Sequence, residues 1–439
     1  MRTNTARTMP DLRTHEGAKA YLHMTPEQTL RRHVMSCLLW ESEFYSDGQS
    51  IADRIEESAS AVAAEVLAQI AVEARTEQNL RHVPLLLLCA LAKRGGSIVG
   101  QTLPQVIQRA DELSEFMALY WRAGKTPLSK QVKIGLAAAF QRFDAYQLAK
   151  YDRQNGVRLR DVLFMVHAKP KDEAQADIWK QLIDGALPSP DTWEVALSAG
   201  GDKREEFTRL LSEGKLGYLA LLRNLRNMVE SGVDEALIRD AILARKGGAE
   251  KVLPFRYVAA ARACPRLESS IDQALSDAIA SLPILPGRTA VLVDVSGSMD
   301  AKLSAKSDMT RMDAACALAS LIHGDVRMFS FSNQVVEVPA RRGMAGVDAL
   351  MRSQPHGGTA LFEAVHAINQ KVPYDRIIVI TDEQAGSFSR IGSMPDPMAT
   401  GYLINVASNK NGVGYGKWRH IDGWSENVIR WITGIENDA

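Results

Sequence analysis

The feature of this sequence that most constrains its fold is a single change of periodicity. From about residue 15 to residue 282, apolar residues recur only at helical spacing, in pieces broken by Gly, Pro and Asp. Near Ser281 the pattern changes: SLPILPGR reads as a Pro-rich linker, and TAVLVDVSGSM after it reads as a buried strand running into a polar loop. The chain thus divides near Gly287 into residues 1–286, purely helical, and residues 287–439, mixed.

In the first part, Thr25-Pro26-Glu27-Gln28 has the form of a helix start, with a Thr cap, Pro at the first helical position and Gln at the third. Further helical segments are SIADRIEESASAVAAEVLAQIAVEAR, NLRHVPLLLLCALAKRG, LPQVIQRADELSEFMALYWRAG, PLSKQVKIGLAAAFQRFDAYQLAKY, YLALLRNLRNMVESG and DEALIRDAILARKGG. Short helices joined by tight turns, with no strand between them, predict an α-helical solenoid of HEAT or armadillo style. In the second part, the strands TAVLVDV, DVRMFSFS, VVEVPA, RIIVITD and GYLINVAS alternate with the helices MTRMDAACALASLIHG, GGTALFEAVHAINQ and ENVIRWITGI. That alternation predicts a doubly wound α/β sheet, largely parallel, with ligands at the carboxyl ends of its strands.

The sharpest motif sits at such an end. Asp294, Ser296 and Ser298 form DxSxS where the first strand becomes a loop. A hard divalent cation takes about six oxygen ligands, and one carboxylate with two hydroxyls on a Gly-containing turn presents three. Thr359, before a helix, and Asp382, at the end of RIIVITD, belong to two further loops at the same edge. The ion expected is Mg2+, with Mn2+ an alternative. Catalysis has less behind it: GxSxG and GxxxxGK[ST] are both missing, and Glu383 is the one obvious general base over a metal.

Composition narrows the classes. No run approaches the roughly 18 apolar residues of a membrane span, and the first residues carry no signal-peptide pattern, so a soluble, cytoplasmic, monomeric protein is expected. Cys37, Cys89, Cys264 and Cys316 are widely spaced and read as small buried residues. Lys plus Arg and Asp plus Glu both total 52, so any nucleic-acid site must be a local patch. Arg122 to Lys171 supplies one: Arg122, Lys125, Lys130, Lys133, Arg142, Lys150, Arg153, Arg158, Arg160, Lys169 and Lys171 stand against only Asp144, Asp152 and Asp161. A solvated helix face is the plain alternative for such a run, and His167, between Val166 and Ala168, could be a core residue.

Several helical segments resemble the TROVE domain shared by telomerase-associated, Ro and vault proteins: RHVPLLLL, PLSKQVKIGLAAAFQRFDAYQLAKY, LRDVLFMVHAKP, DTWEVALSAGGDK, GKLGYLALLRNLRNM and VLPFRYVAAAR. The DxSxS, Thr, Asp set resembles the metal-ion-dependent adhesion site of von Willebrand factor A domains. The two in this order resemble the Ro family, in its bacterial form. The resemblance implies a TROVE helical-repeat RNA-binding ring, 1–286, followed by a von Willebrand factor A domain, 287–439. It implies non-catalytic binding of small structured, Y-like RNA on an outer surface and of single-stranded 3' ends of misfolded RNA in a basic hole, for RNA quality control. It further implies a 3'-to-5' exoribonuclease partner tethered by the RNA, and an open metal position filled by water or an acidic group.

On this reading Lys130, Lys133, Arg158, Arg160, His167 and Lys169 are the outer RNA candidates, with His167-Ala168-Lys169-Pro170 matching a stretch tied to Y RNA contact. In LALLRNLRNM, Leu221, Leu225 and Met228 face a core, and Arg223 and Arg226 are the candidates for the hole; Asn224 and Asn227 could instead join neighbouring repeats. The rival is a protein-interaction scaffold that binds an acidic partner through the metal.

Overall fold

The computed structural model describes residues 25–34, 48–152, 156–198, 200–303, 309–385, 391–407, 413, 416–422, 428–429, 432–433 and 436. Arg153, Cys37 and most of ENVIRWITGI lie outside them. The helices of the first part are α1 (Pro26–Val34), α2 (Gly48–Ser60), α3 (Ala64–Thr76), α4 (His82–Arg94), α5 (Ser97–Val106), α6 (Ala110–Tyr120), α7 (Lys130–Phe140), α8 (Ala145–Tyr151), α9 (Leu159–Val166), α10 (Glu173–Asp184), α11 (Trp193–Ser198), α12 (Lys203–Ser212), α13 (Tyr218–Glu230), α14 (Glu235–Ala244), α15 (Phe255–Ala263) and α16 (Glu268–Ala280). The second part runs β1 (Leu285–Asp294), α17 (Arg311–Ala319), β2 (Gly324–Phe331), β3 (Val335–Val338), α18 (Gly343–Met351), α19 (Leu361–Lys371), β4 (Arg376–Thr381), β5 (Thr400–Asn405) and β6 (Trp418–Asp422). The expected fold class, helical repeats and then a doubly wound α/β sheet, is what these elements form. None of the described helices is long and apolar enough to cross a membrane, and Cys89, Cys264 and Cys316 are buried.

Three of the long segments read from periodicity are pairs of helices. SIADRIEESASAVAAEVLAQIAVEAR breaks between α2 and α3, and LPQVIQRADELSEFMALYWRAG between α5 and α6, where the Glu112 carboxylate accepts from the backbone N–H groups of Gln108 and Arg109 at 2.8 and 3.1 Å. PLSKQVKIGLAAAFQRFDAYQLAKY breaks at Asp144, whose side chain accepts from Gln147 N at 2.7 Å while the Gln147 amide accepts from Asp144 N, a capping box. The apolar stripe continues through each break, so periodicity alone runs the pair together.

Within the helical unit, α5 and α7 cross closely because each brings a glycine to the contact. A Cβ on Gly135 would lie 2.6 Å from Leu103 Cδ1, and one on Gly100 would lie 2.7 Å from Gln131 Oε1. α7 starts where Ser129 Oγ accepts from Val132 N at 3.3 Å; it buries Val132, Leu136, Ala139 and Phe140 and turns Lys130 and Ile134 outward.

The sheet order is β3-β2-β1-β4-β5-β6, parallel except for the antiparallel β2–β3 pair. Leu292, Phe329, Phe362, Val365, Ile377, Val379 and Leu403 fill the core on one face. α18 and β6 are elements that the sequence pattern does not announce. SLPILPGR does not stay outside the sheet as a linker: Leu285 already pairs with Gly324, and the register shifts before Arg288. Pro286 has no N–H to give a ladder and Gly287 has φ +73°, so the strand bulges there and continues.

The described residues form two compact units, one of Pro26–Val34 with residues 52–252, the other of Thr25, residues 48–51 and those from Leu253 onward. Compactness therefore changes at Leu253, while the sequence pattern changes near Gly287. The difference lies in α15 and α16, helical in pattern but packed with the sheet unit: Arg262 pairs with Asp313 of α17, and Asp272 accepts from Met344 N of α18 at 2.8 Å.

Candidate metal centre and nucleic-acid surface

β1 leads to β2 on one side and lies beside β4 on the other, so the carboxyl ends of β1 and β4 flank the point where strand order reverses. Such a crevice is where open α/β sheets place their ligands. Asp294 ends β1 and Asp382 follows β4, both fully buried. Asp294 Oδ1 accepts from Ser296 N at 2.9 Å and Oδ2 from Thr381 Oγ1 at 2.6 Å. The Ser296 and Ser298 hydroxyls lie 3.2 Å apart, and the Ser298 hydroxyl hydrogen-bonds the Asp382 carboxylate. Asp294, Ser296, Ser298 and Asp382 are therefore joined by direct contacts. Thr359, half-buried, stands on a loop that Gly297 N clamps by donating to Gly357 O at 2.9 Å. Gly357 fits there because a Cβ would meet the Asn333 side chain at 2.2 Å.

Burial pushes the Asp294 carboxyl up to about 7, with the Asp382 charge adding to the rise, and burial also raises Asp382 against the pull of Arg311. Two desolvated carboxylates beside converging hydroxyls fit a hard dication, which would take the place of the held proton. Among the described residues no three His, Cys, Asp or Glu side chains group as metal ligands, so an ion here would depend on the serine oxygens. Glu383 is turned elsewhere: at φ +60°, its Oε2 accepts from Val413 N at 3.0 Å and its Oε1 lies 3.5 Å from Nδ1 of His420 on β6.

On the helical unit, Lys130, Lys133, His167 and Lys169 line one cavity of about 660 Å³, floored by Leu128, Ile134, Ala137 and Val166. His167 is exposed, which removes the core alternative; it caps α9 in the left-handed region at φ +53°. The Gln141 side chain pins this loop by donating to Lys169 O at 2.8 Å, and Gln175 in turn donates to Gln141 O at 2.9 Å. No carboxylate pairs with the three lysines among the described residues. The rest of the basic run divides: Arg122 pairs with Glu56 at 2.9 Å, Arg142 donates to Pro104 O, and Lys150 sits over the Tyr146 and Tyr151 rings. Arg158 and Arg160 are half-buried at the start of α9, outside the cavity lining, with Arg160 Nε 4.0 Å from Asp161.

On α13, Leu221, Leu225 and Met228 are buried as expected, with Tyr218, Leu222 and Asn224. Arg223 and Arg226 are exposed, one turn apart. Asn224 donates to Ala220 O of its own helix, while Asn227 accepts from Lys203 of α12 at 3.4 Å. Of the two asparagines, Asn227 is the one whose side chain reaches a neighbouring helix.

Helical repeats followed by a doubly wound sheet with a polar crevice at its switch point define the class of protein. Residues 185–275 match the family model described as TROVE domain. The telomerase protein component 1 of Rattus norvegicus and that of Mus musculus are each 33% identical over 90 residues, 19% of this chain and 3% of theirs, so the match spans a small fraction of those relatives. The crystal structure of the Deinococcus radiodurans RO (RSR) protein superposes with a TM-score of 0.61 at 18% identity, covering 93% of this chain and 99% of that one. The resemblance to Ro-type TROVE proteins read from the sequence is borne out. Arg223 and Arg226 fall inside the matched residues; the cavity lysines and the metal candidates fall outside them.

Proposed function

We propose that this protein binds RNA without performing chemistry on it, in the manner of the Ro-type proteins it resembles, with small structured, Y-like RNA on the surface around Lys130, Lys133, His167 and Lys169. RNA binding in general is what the TROVE match supports. The observation that carries the finer reading is the convergence of two sequence-distant pairs, Lys130 with Lys133 and His167 with Lys169, without carboxylate partners among the described residues, on one concave surface. Phosphates and 2'-hydroxyls of a stem are the groups such cations recognise. Arg223 and Arg226 are assigned to unpaired 3' ends of misfolded RNA. A cytoplasmic role in RNA quality control, with a 3'-to-5' exoribonuclease held through the RNA, completes the proposal. Asp294, Ser296, Ser298, Thr359 and Asp382 are proposed to hold Mg2+ or Mn2+, which would supply a Lewis-acidic position for an acidic partner group.

The test replaces Lys130, Lys133, His167 and Lys169 together by Gln and titrates a stem-loop RNA at several salt concentrations. Affinity should fall, and the slope of log affinity against log salt should drop by roughly 0.7 to 0.9 for each phosphate left without its cation. A folded variant with unchanged affinity and slope would reduce the cluster to a solvated face.

A further inference from the structure

We propose that Arg311 is the resident counterion of the candidate metal site and sets its affinity, so that a divalent cation reaches Asp382 against a guanidinium already facing the same carboxylate. The inference rests on the metal reading above and deepens it. Arg311 is 1% exposed, and its Nη1 lies 3.5 Å from Asp382 Oδ2. It occupies the first turn of α17, where the helix dipole disfavours a cation, and burial strips a guanidinium of water. Both effects oppose an arginine here, and the Asp382 carboxylate offsets them.

The turn that carries Arg311 is held from both sides. Thr310 and Asp313 cap it reciprocally, with Asp313 N donating to Thr310 Oγ1 at 3.1 Å and Thr310 N to Asp313 Oδ2 at 2.8 Å. Asp313 is also paired by Arg262 of α15. The nearby carboxylate of Asp313 thus has a cation of its own, while the Arg311 guanidinium faces Asp382. With both site carboxylates ionised, Arg311 halves the negative charge that meets an incoming dication, and like charge near one carboxylate repels.

Calorimetric titration of the full chain with MnCl2 at fixed ionic strength tests this, using wild type, Arg311→Gln, Arg311→Lys and Asp294→Ala. Arg311→Gln should bind Mn2+ about tenfold or more tightly, while Arg311→Lys, keeping the charge, should stay close to wild type and Asp294→Ala should lose the site. Equal or weaker binding by folded Arg311→Gln, with wild type binding normally, would overturn the role of Arg311 and leave the metal reading standing. Silence from all four proteins would overturn both.

Should Arg311→Gln fail to fold alone, recovery of a cooperative unfolding transition on adding Mn2+ supports the proposal. The wild type then gives an independent answer: the arginine Nε–H resonance that is absent from Arg311→Lys should move on adding Mg2+. A resonance that stays still while Mg2+ binds would refute the competition.

Discussion

His167 combines an unusual backbone with an exposed ring, since a left-handed φ of +53° is uncommon outside glycine and such residues gather at functional sites. His323 shows the opposite use of the same side chain. It is 5% exposed, and its Nε2 lies 3.1 Å from Leu282 O, so a second proton on the ring would be carried without water. Burial first, and then Arg342, lowers its pKa below the usual 6.5. The unfolded chain therefore binds that proton more readily than the folded one. The stability this residue contributes is complete above the unfolded pKa and is lost as pH falls below it toward the depressed folded value. His323→Gln should accordingly flatten the fall in Tm on acidification from about pH 7.5 to 5.5; parallel profiles would reject this. Asp294 contributes with the opposite sign but is present in both proteins, so it cancels. At this scale the sequence was partly legible. The DxSxS loop was, because its candidate ligands are adjacent in sequence; the Arg311–Asp382 and Glu383–His420 pairs were not, because only the folded sheet joins them.

Among the elements, α7 carries the basic cavity and depends on its crossing with α5. Gly135→Ala gains about 1 kcal/mol of helix propensity, but its new methyl would meet Leu103 Cβ at 2.7 Å and Gly100 Cα at 3.2 Å. Overpacking of that kind costs about 1–3 kcal/mol, so denaturant unfolding should show a net loss, and an increase in stability would show that the crossing yields freely. α13 offers a different test. Arg223→Gln with Arg226→Gln keeps helix propensity while removing two exposed charges. Binding of a duplex with a single-stranded 3' tail should weaken while a blunt stem-loop is nearly unaffected. An equal loss on both RNAs would mark a general surface, and no loss on either would leave the proposal for unpaired ends without residues behind it.

The elements missed in the sequence were weak in physical signal. Trp418–Asp422 is only five residues of mixed polarity, WRHID, too short for its alternation to stand out, and Gly343–Met351 opens on a glycine and carries another inside. The strands that position the crevice were legible because they are buried on both faces and read as continuous apolar runs.

At the scale of the whole molecule, the cavity lysines and the metal candidates belong to different compact units. Chelation with EDTA, or Asp294→Ala, should therefore leave stem-loop affinity within about twofold of the untreated protein, well below the tenfold that 1.4 kcal/mol would give. Parallel loss of metal and RNA binding, measured on the same preparation, would show that the two sites are coupled.

The place of α15 and α16 has a practical side. Every residue of α17 is buried, and a helix enclosed on all sides needs cover on all of them. An expression fragment cut at residue 287, where the sequence pattern suggests a clean start, would discard the partner of Asp313 and the cap of Met344, leaving apolar helix surface open to aggregation. A fragment meant to keep α15 and α16 with the sheet must reach back at least to Leu253, inside the stretch that matches the TROVE family, so the border between compact units and the border of the sequence family are different lines in this chain.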